Sequence, residues 1–251
     1  MYLKKLSSQT IITVLTIVFI FSSWHLLALA LQTPALPPPW EALKTLKVIF
    51  GSEIASHLGV SLYRVMVSLI IATVLAVPLG LFLGKNRGAD QISAPLIYLT
   101  YPIPKVVFLP IILILLGIGN LSKIVLITLV VFYQILVTTR DAARNLAKEY
   151  VLSVESLKAN DWVIYWHVYF PACLPAILTS LRIGLGTALA VLFLVETYAT
   201  REGIGFFIMA SWGSLAYDKM FAGIIVMGLM GFVLYLLLDG CERVFCRWVN
   251  S

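Results

Sequence analysis

The stretch VSLYRVMVSLIIATVLAVPLGLFLG, Val60 to Gly84, decides the class of this protein. Its one charged side chain is Arg64. At about 1.5 Å per helical residue the run outreaches the roughly 30 Å hydrocarbon layer of a bilayer, so it reads as a transmembrane helix. Working outward, further apolar runs lie at Ile11 to Leu31, Val106 to Leu116, Ile124 to Val137, Leu174 to Thr197 and Phe221 to Leu238. The pattern predicts an all-α integral membrane protein of about six transmembrane helices.

Composition supports lipid as the solvent. Hydrophobic residues make up 61% of the 251 and charged residues 12%, whereas soluble domains run near 45–50% and about 25%. The first apolar run is longer than the roughly 7–15-residue core of a signal peptide and has no clear small-residue cleavage site, so residues 1–32 are expected to remain as a helix. Pro34, Pro37, Pro38 and Pro39 then stop it. Residues 33–59 are expected to be an extracytoplasmic loop with one surface helix, followed by a transmembrane domain over 60–248.

The formal charge of +6 does not indicate a nucleic-acid partner, because the basic residues are scattered between apolar runs rather than arrayed in a stripe. They act as topology signals. With six spans and a cytoplasmic N-terminus, one side holds Lys4, Lys5, Lys85, Arg87, Arg140, Arg144, Lys148, Lys158, Arg243 and Arg247. The other holds Lys44, Lys47, Lys123, Arg201 and Lys219. The bias places both termini in the cytoplasm and makes residues 139–172 the largest cytoplasmic element. That segment interleaves charges with Tyr150, Val151, Val154, Leu157, Trp162 and Tyr165, a pattern of short amphipathic helices with Asn160 or Asp161 capping the second. Two readings stand side by side: a folded surface for a cytoplasmic partner, or helices lying on lipid headgroups.

Four runs carry a family resemblance: Ser61 to Lys85, Tyr101 to Lys123, FPACLPAILTSLRIGLG at Phe170 to Gly186, and VETYATREGIG at Val195 to Gly205. In order and spacing they resemble the permease subunit of a bacterial ABC importer of the nitrate, sulfonate, taurine and bicarbonate type, over about four-fifths of the chain. The resemblance implies a type I importer bundle in the bacterial inner membrane. Its implied partners are cytoplasmic ATPase subunits, a second permease copy, an extracytoplasmic substrate-binding protein and membrane lipid. It implies no cofactor in this chain, with ATP and magnesium held by the partner ATPase. It also implies that a cytoplasmic loop of pattern E-A-A-x3-G-x9-I-x-L-P docks on that ATPase. Kept in register, the pattern places Leu152, Ser153 and Val154 on E-A-A, Lys158 on the glycine, Val168 on the isoleucine, Phe170 on the leucine and Pro171 on the proline. The glutamate and the glycine are missing, and a lysine at positive φ costs on the order of 1 kcal/mol.

The chain offers little covalent chemistry. GLFLGK at Gly80 to Lys85 mimics a phosphate loop but is one residue short and lacks the Ser/Thr, so Gly80 and Gly84 are read as helix-packing residues. His25, His57 and His167 have no ligand spacing, and Cys173, Cys241 and Cys246 read as small buried hydrophobes. No metal site and no catalytic constellation is expected.

Charges within spans are functional candidates by default. Arg64 and Lys105 lie near span ends, from which long side chains can snorkel to an interface. Arg182 lies deeper and calls for a carbonyl or an acid, in a structural or a substrate-contacting role. Glu196 would repel an anionic substrate unless paired, which favours a structural or gating ion pair with Arg64 or Arg182. Pro102 and Pro104 break the approach to the third span, either as a kink or as pathway lining. The expected function is therefore the permease of an ATP-driven importer of a small solute, an anion such as nitrate, bicarbonate or a sulfonate, working by alternating access. The alternatives are an ion-coupled carrier and a non-transporting scaffold; no inverted repeat or run of intramembrane acids supports the carrier.

Overall fold

The computed structural model describes residues 2–198 and 200–249; the side chains of residues 2–10, Lys148 and Val249 lie outside the described set, so Lys4, Lys5 and Lys148 are left aside. Helix α1 (Tyr2–Leu31) sits at the periphery with Ile11, Leu15 and Phe19 facing outward. It is tied to the rest near its end, where the Trp24 indole donates to the Pro37 carbonyl at 3.0 Å and stacks on Phe221.

The segment over 33–59, expected as a loop with one surface helix, is helical throughout from Pro39 onward. Helix α2 (Pro39–Ile49) begins with a proline in its first turn, where no N–H is needed, and buries Ala42 and Ile49. A π turn at Phe50–Ile54 carries the chain into α3 (Ala55–Lys85), so 47 residues run as one continuous helical segment. Only the linker from Gln32 to Pro38 lacks helix.

The third expected span is also different. Helix α4 (Arg87–Thr100) and α5 (Leu109–Leu116), the latter preceded by a single 3₁₀ turn, meet at a 79° bend across Tyr101 to Pro104. Proline at 102 and 104 removes two backbone donors and fixes two φ angles, which ends α4. Helix α6 (Asn120–Arg144) is far longer than the fourth predicted run. Among the described residues five helices are long and apolar enough to cross a membrane, six if the bent pair counts as one.

Helix α7 (Lys148–Glu155) is short. Helix α8 (Asp161–Ile164), a π turn at Tyr165–Tyr169 and α9 (Phe170–Thr197) form one continuous helical segment. The π turn has a cause: the ring of Pro171 cannot sit against the carbonyl four residues before it, and the wider turn moves that carbonyl away. Helices α10 (Ile204–Gly213) and α11 (Tyr217–Phe245) complete the fold.

Helices α3 and α6 run parallel and α9 antiparallel to both, and together they form the core around Val65, Ala72, Ala76, Leu126, Ile127, Val131, Ala188 and Leu192. Small residues let the backbones approach: a Cβ on Gly80 would lie 2.8 Å from the Thr139 Cβ, and one on Gly84 2.5 Å from the Arg140 carbonyl oxygen. A smaller cluster, with Ile54, Ile204, Phe207, Ala222 and Val226, packs α10 and α11 at the end where Arg64 and Glu196 lie. Along α3 that end is separated from Lys85 by roughly 30 Å, the thickness of a hydrocarbon layer. Outward-facing Ile70, Val74, Leu75, Leu229, Phe232 and Leu236 give the bundle an apolar exterior.

Candidate functional site

Several groups of polar side chains interrupt this apolar bundle. The most buried centres on Glu196, the penultimate residue of α9, which has no exposure at all. Arg64 lies one turn after Ser61 on the same face of α3, so both reach it. The Arg64 Nη1 donates to Glu196 Oε1 at 2.7 Å, and the Ser61 hydroxyl donates to the carboxylate at 2.9 Å. The N–H of Gly205 donates to Oε2 at 2.8 Å, and that of Ile204 donates to the Ser61 hydroxyl at 2.8 Å.

The carboxylate thus satisfies the first turn of α10, whose amides carry the positive end of the helix dipole. The glycines make room for it. A Cβ on Gly203, which has φ +109°, would lie 2.3 Å from the Glu196 carboxyl carbon, and one on Gly205 2.8 Å from the Glu196 Cβ. The Gly203 N–H donates to His57 Nδ1 at 3.1 Å. Arg64 also holds α6 and the α9–α10 loop, donating from Nε to Asn120 Oδ1 at 2.9 Å and from Nη1 to the Glu202 carbonyl at 3.0 Å.

Of the two arginines suggested for Glu196, the structure brings only Arg64 to it. Snorkelling does not describe Arg64, which is 2% exposed. Arg182 instead turns to α11, meeting Glu242, Asp239 at 3.6 Å and the Tyr235 ring at 5.5 Å. Lys105 folds back: its ammonium donates to the carbonyls of Thr100 and Tyr101 at 2.6 and 2.7 Å and lies over the Tyr133 ring. It thereby bonds carbonyls at the α4 break, while Tyr101 to Pro104 themselves stay exposed.

The second group lies at the opposite end. Asp90, buried on α4, accepts from Arg140 and, at 3.1 Å, from Arg144, with Arg140 also beside the Tyr98 ring. Ser61, Asn120, Lys123, His57 and Asp90 were not singled out by sequence. The usable signal was two polar residues three apart on one face of an apolar helix, as in Ser61 with Arg64 and Asn120 with Lys123.

The third group is the loop predicted to dock. It is shorter than 139–172, because Thr139, Arg140 and Ala143 are buried within α6 and everything from Asp161 belongs to the helix leading into α9. What remains is 145–160. Leu152 and Ser153 are exposed and Val154 half-buried on α7; Val168 is buried, and Phe170 and Pro171 are half-buried at the start of α9. The Asn160 side chain accepts from the Val163 N–H at 2.9 Å and caps α8. Tyr150, Leu157 and Trp162 stand exposed, and Asp161 pairs with Lys85 at 2.6 Å.

Lys158 occupies the turn after α7 at φ +58°. Replacing it by glycine relieves a left-handed strain of about 1–2 kcal/mol, less the backbone entropy that glycine costs. A net gain of roughly 0.5 kcal/mol is expected. Hydrogen exchange should read it as a slowing of about two-fold at the turn amides of Ser156 and Leu157, which donate to Leu152 and Val154. Unchanged or faster exchange would mean that the turn carries no such strain.

Comparison with known proteins adds three findings. Residues 76–250 match the family described as binding-protein-dependent transport system inner membrane component. The chain is 33% identical to the taurine transport system permease protein of Escherichia coli over 97% of its own length and 91% of the relative's. It is 24% identical to the formylaminopyrimidine transport permease protein of Halalkalibacterium halodurans, over 97% and 98% of the two chains. Among solved structures, an inward-facing methionine ABC transporter chain superposes with a TM-score of 0.67 at 18% identity, covering 76% of this chain and 95% of the other.

Proposed function

The chain belongs to the binding-protein-dependent transport system inner membrane components, the permeases of ABC importers, and from that premise we propose that the solute it passes is a small organic anion of the sulfonate class. It is a multi-pass membrane protein and a transport subunit, not an enzyme. One observation carries the sulfonate reading: the similarity to a taurine permease runs nearly end to end through both chains, at higher identity than to the formylaminopyrimidine permease.

In this reading two copies enclose the path, a binding protein delivers the solute at the Glu196 end, and ATPase subunits holding ATP and magnesium bind the 145–160 loop. The positive-inside bias supports that orientation. The exposed Tyr150, Leu152 and Leu157 offer the apolar contacts a docking surface needs. ATP-driven approach of the two ATPases pulls the loops together. The movement passes into α6 through the Asp90 ion-pair group and into α9 through its continuous helical lead, and the bundles rock between inward- and outward-open states.

The experiment is uptake by proteoliposomes containing this permease, its ATPase and its binding protein. The expected result is accumulation of labelled taurine that requires internal ATP and exceeds that of nitrate or bicarbonate at least tenfold. Uptake driven by an ion gradient without ATP, or preference for an inorganic anion, would overturn it.

A further inference from the structure

A cleft of about 920 Å³ opens where the last turns of α3 face the helical segment that leads into α9. The Tyr165 hydroxyl donates to the Pro78 carbonyl at 3.0 Å and joins the two sides. The lining changes character from the deep end to the mouth. Val77, Leu81, Phe82 and Phe170 line the deep part. Trp162, Tyr165 and Trp166 come next, and the Trp166 ring lies 5.6 Å from that of Trp162 and 5.2 Å from that of Phe170. Lys85, Arg87, Gly88 and Asp161 stand at the mouth. From Val77 to Lys85 the helix rises about 12 Å, so the apolar part reaches into the hydrocarbon layer while the mouth lies at its edge.

This order is the order of a phospholipid. Tryptophan and tyrosine favour the headgroup level, and basic residues at the same level attract phosphate. Trp162 is 69% exposed and Trp166 42%, so protein within this chain leaves the aromatic wall uncovered. Exposed Ile70 and Val74 continue the i, i+4 row of Pro78 and Phe82 along α3, and the cleft therefore runs out onto the apolar exterior. Charge selects among lipids. Lys85 pairs with Asp161 at 2.6 Å, whereas exposed Arg87 meets no acid among the described residues. The mouth is left with a net positive charge, which an anionic headgroup answers and a zwitterionic one answers only in part.

We propose that this cleft binds an anionic phospholipid, its phosphate at Arg87 and Lys85, its glycerol beside Trp162 and Trp166, and its acyl chains along Phe82 and Phe170. The lipid bridges α3 to the segment that joins the 145–160 loop to α9, whichever solute is carried.

The test is tryptophan fluorescence of the permease–ATPase complex in phosphatidylcholine nanodiscs, titrated with phosphatidylglycerol that carries brominated chains. The share of Trp162 and Trp166 is read as the difference from a variant with Trp162→Phe and Trp166→Phe. The expected result is saturable quenching, half-complete at a mole fraction at least fivefold lower than with brominated phosphatidylcholine. Arg87→Gln should raise that midpoint about fivefold. In Gly88→Glu the added Cβ meets only the Asn86 Oδ1, at 3.5 Å, and an acid suits the first turn of α4. This variant should lose the preference for phosphatidylglycerol without a change in thermal unfolding. Equal quenching by the two lipids, or a preference that survives in Gly88→Glu, would overturn the site. Absence of quenching at Trp162 and Trp166 would also overturn it, because a second copy or the ATPase would then cover the cleft. Reversal of the quenching by soluble glycerol phosphate would assign the mouth to a free phosphate instead of a lipid.

Discussion

Replacing Glu196 by alanine is expected to cost about 3–5 kcal/mol of folding stability, because it leaves a buried arginine without its carboxylate. Arg64 keeps only the Asn120 and Glu202 oxygens, and the amide of Gly205 and the hydroxyl of Ser61 both lose their acceptor. Each orphaned buried polar group adds roughly 1–3 kcal/mol of unmet desolvation. Glu196→Gln retains the shape and one acceptor oxygen, so its cost should be smaller. The informative comparison is Arg64→Met with Glu196→Leu. The double variant should be more stable than either single one, since removing both charges removes the desolvation penalty along with the attraction. Thermal unfolding in detergent or nanodiscs reads the series. A single alanine variant that melts with the parent would show that water reaches the pair.

The same cluster explains why Glu196 could be recognised in the sequence and its surroundings could not. An acid in an apolar run needs a counter-charge, and the choice falls among the few intramembrane arginines; that much follows from electrostatics alone. Choosing between Arg64 and Arg182 needs the packing of α3 against α9, which apolar periodicity does not specify. Here Arg182 finds Glu242 and Asp239 on α11 first. The role of Gly203 and Gly205 as a cradle was likewise hidden, because a glycine in a loop looks the same whether it turns the chain or makes room for a carboxylate.

Helix boundaries failed in an instructive direction. Residues 39–59, 120–123, 138–144 and 161–173, which lie outside the predicted apolar spans, proved to be helix carrying polar side chains, whereas 33–38 is the loop expected. Apolar run length measures what faces lipid or core, whereas a helix continues wherever its backbone bonds are met. Asp90, Arg140 and Arg144 are met by one another, so α6 extends to residue 144 with three charges at its end. The prolines follow the sequence reading: Pro78 and Pro175 sit inside helices within predicted spans, and Pro102 and Pro104 break α4 from α5; Pro95 also sits inside a helix. Buried neighbours and a π turn before Pro171 absorb what an exposed helix could not.

Substituting Gly84 should uncouple the loop end of the bundle. Its missing Cβ would lie 2.5 Å from both the Ala143 Cβ and the Arg140 carbonyl oxygen, and 3.0 Å from the Arg144 nitrogen. Carbon contacts are optimal at about 3.5–4.0 Å, so α3 and α6 must part by roughly 1 Å at this point. Two of the three clashes are with backbone and cannot be relieved by a rotamer change. Alanine is therefore expected to cost about 1–3 kcal/mol and leucine more. The displacement falls where Arg140 and Arg144 hold Asp90, so transport should fall further than stability alone accounts for. A control separates this from any general effect on helix propensity. A Cβ on Gly186 of α9 or Gly228 of α11 meets nothing within 4 Å. Alanine there should be neutral or stabilising by up to about 1 kcal/mol. Equal effects at Gly84 and Gly186, in both melting and ATP-dependent uptake, would show that close approach of α3 and α6 is not what the glycine serves.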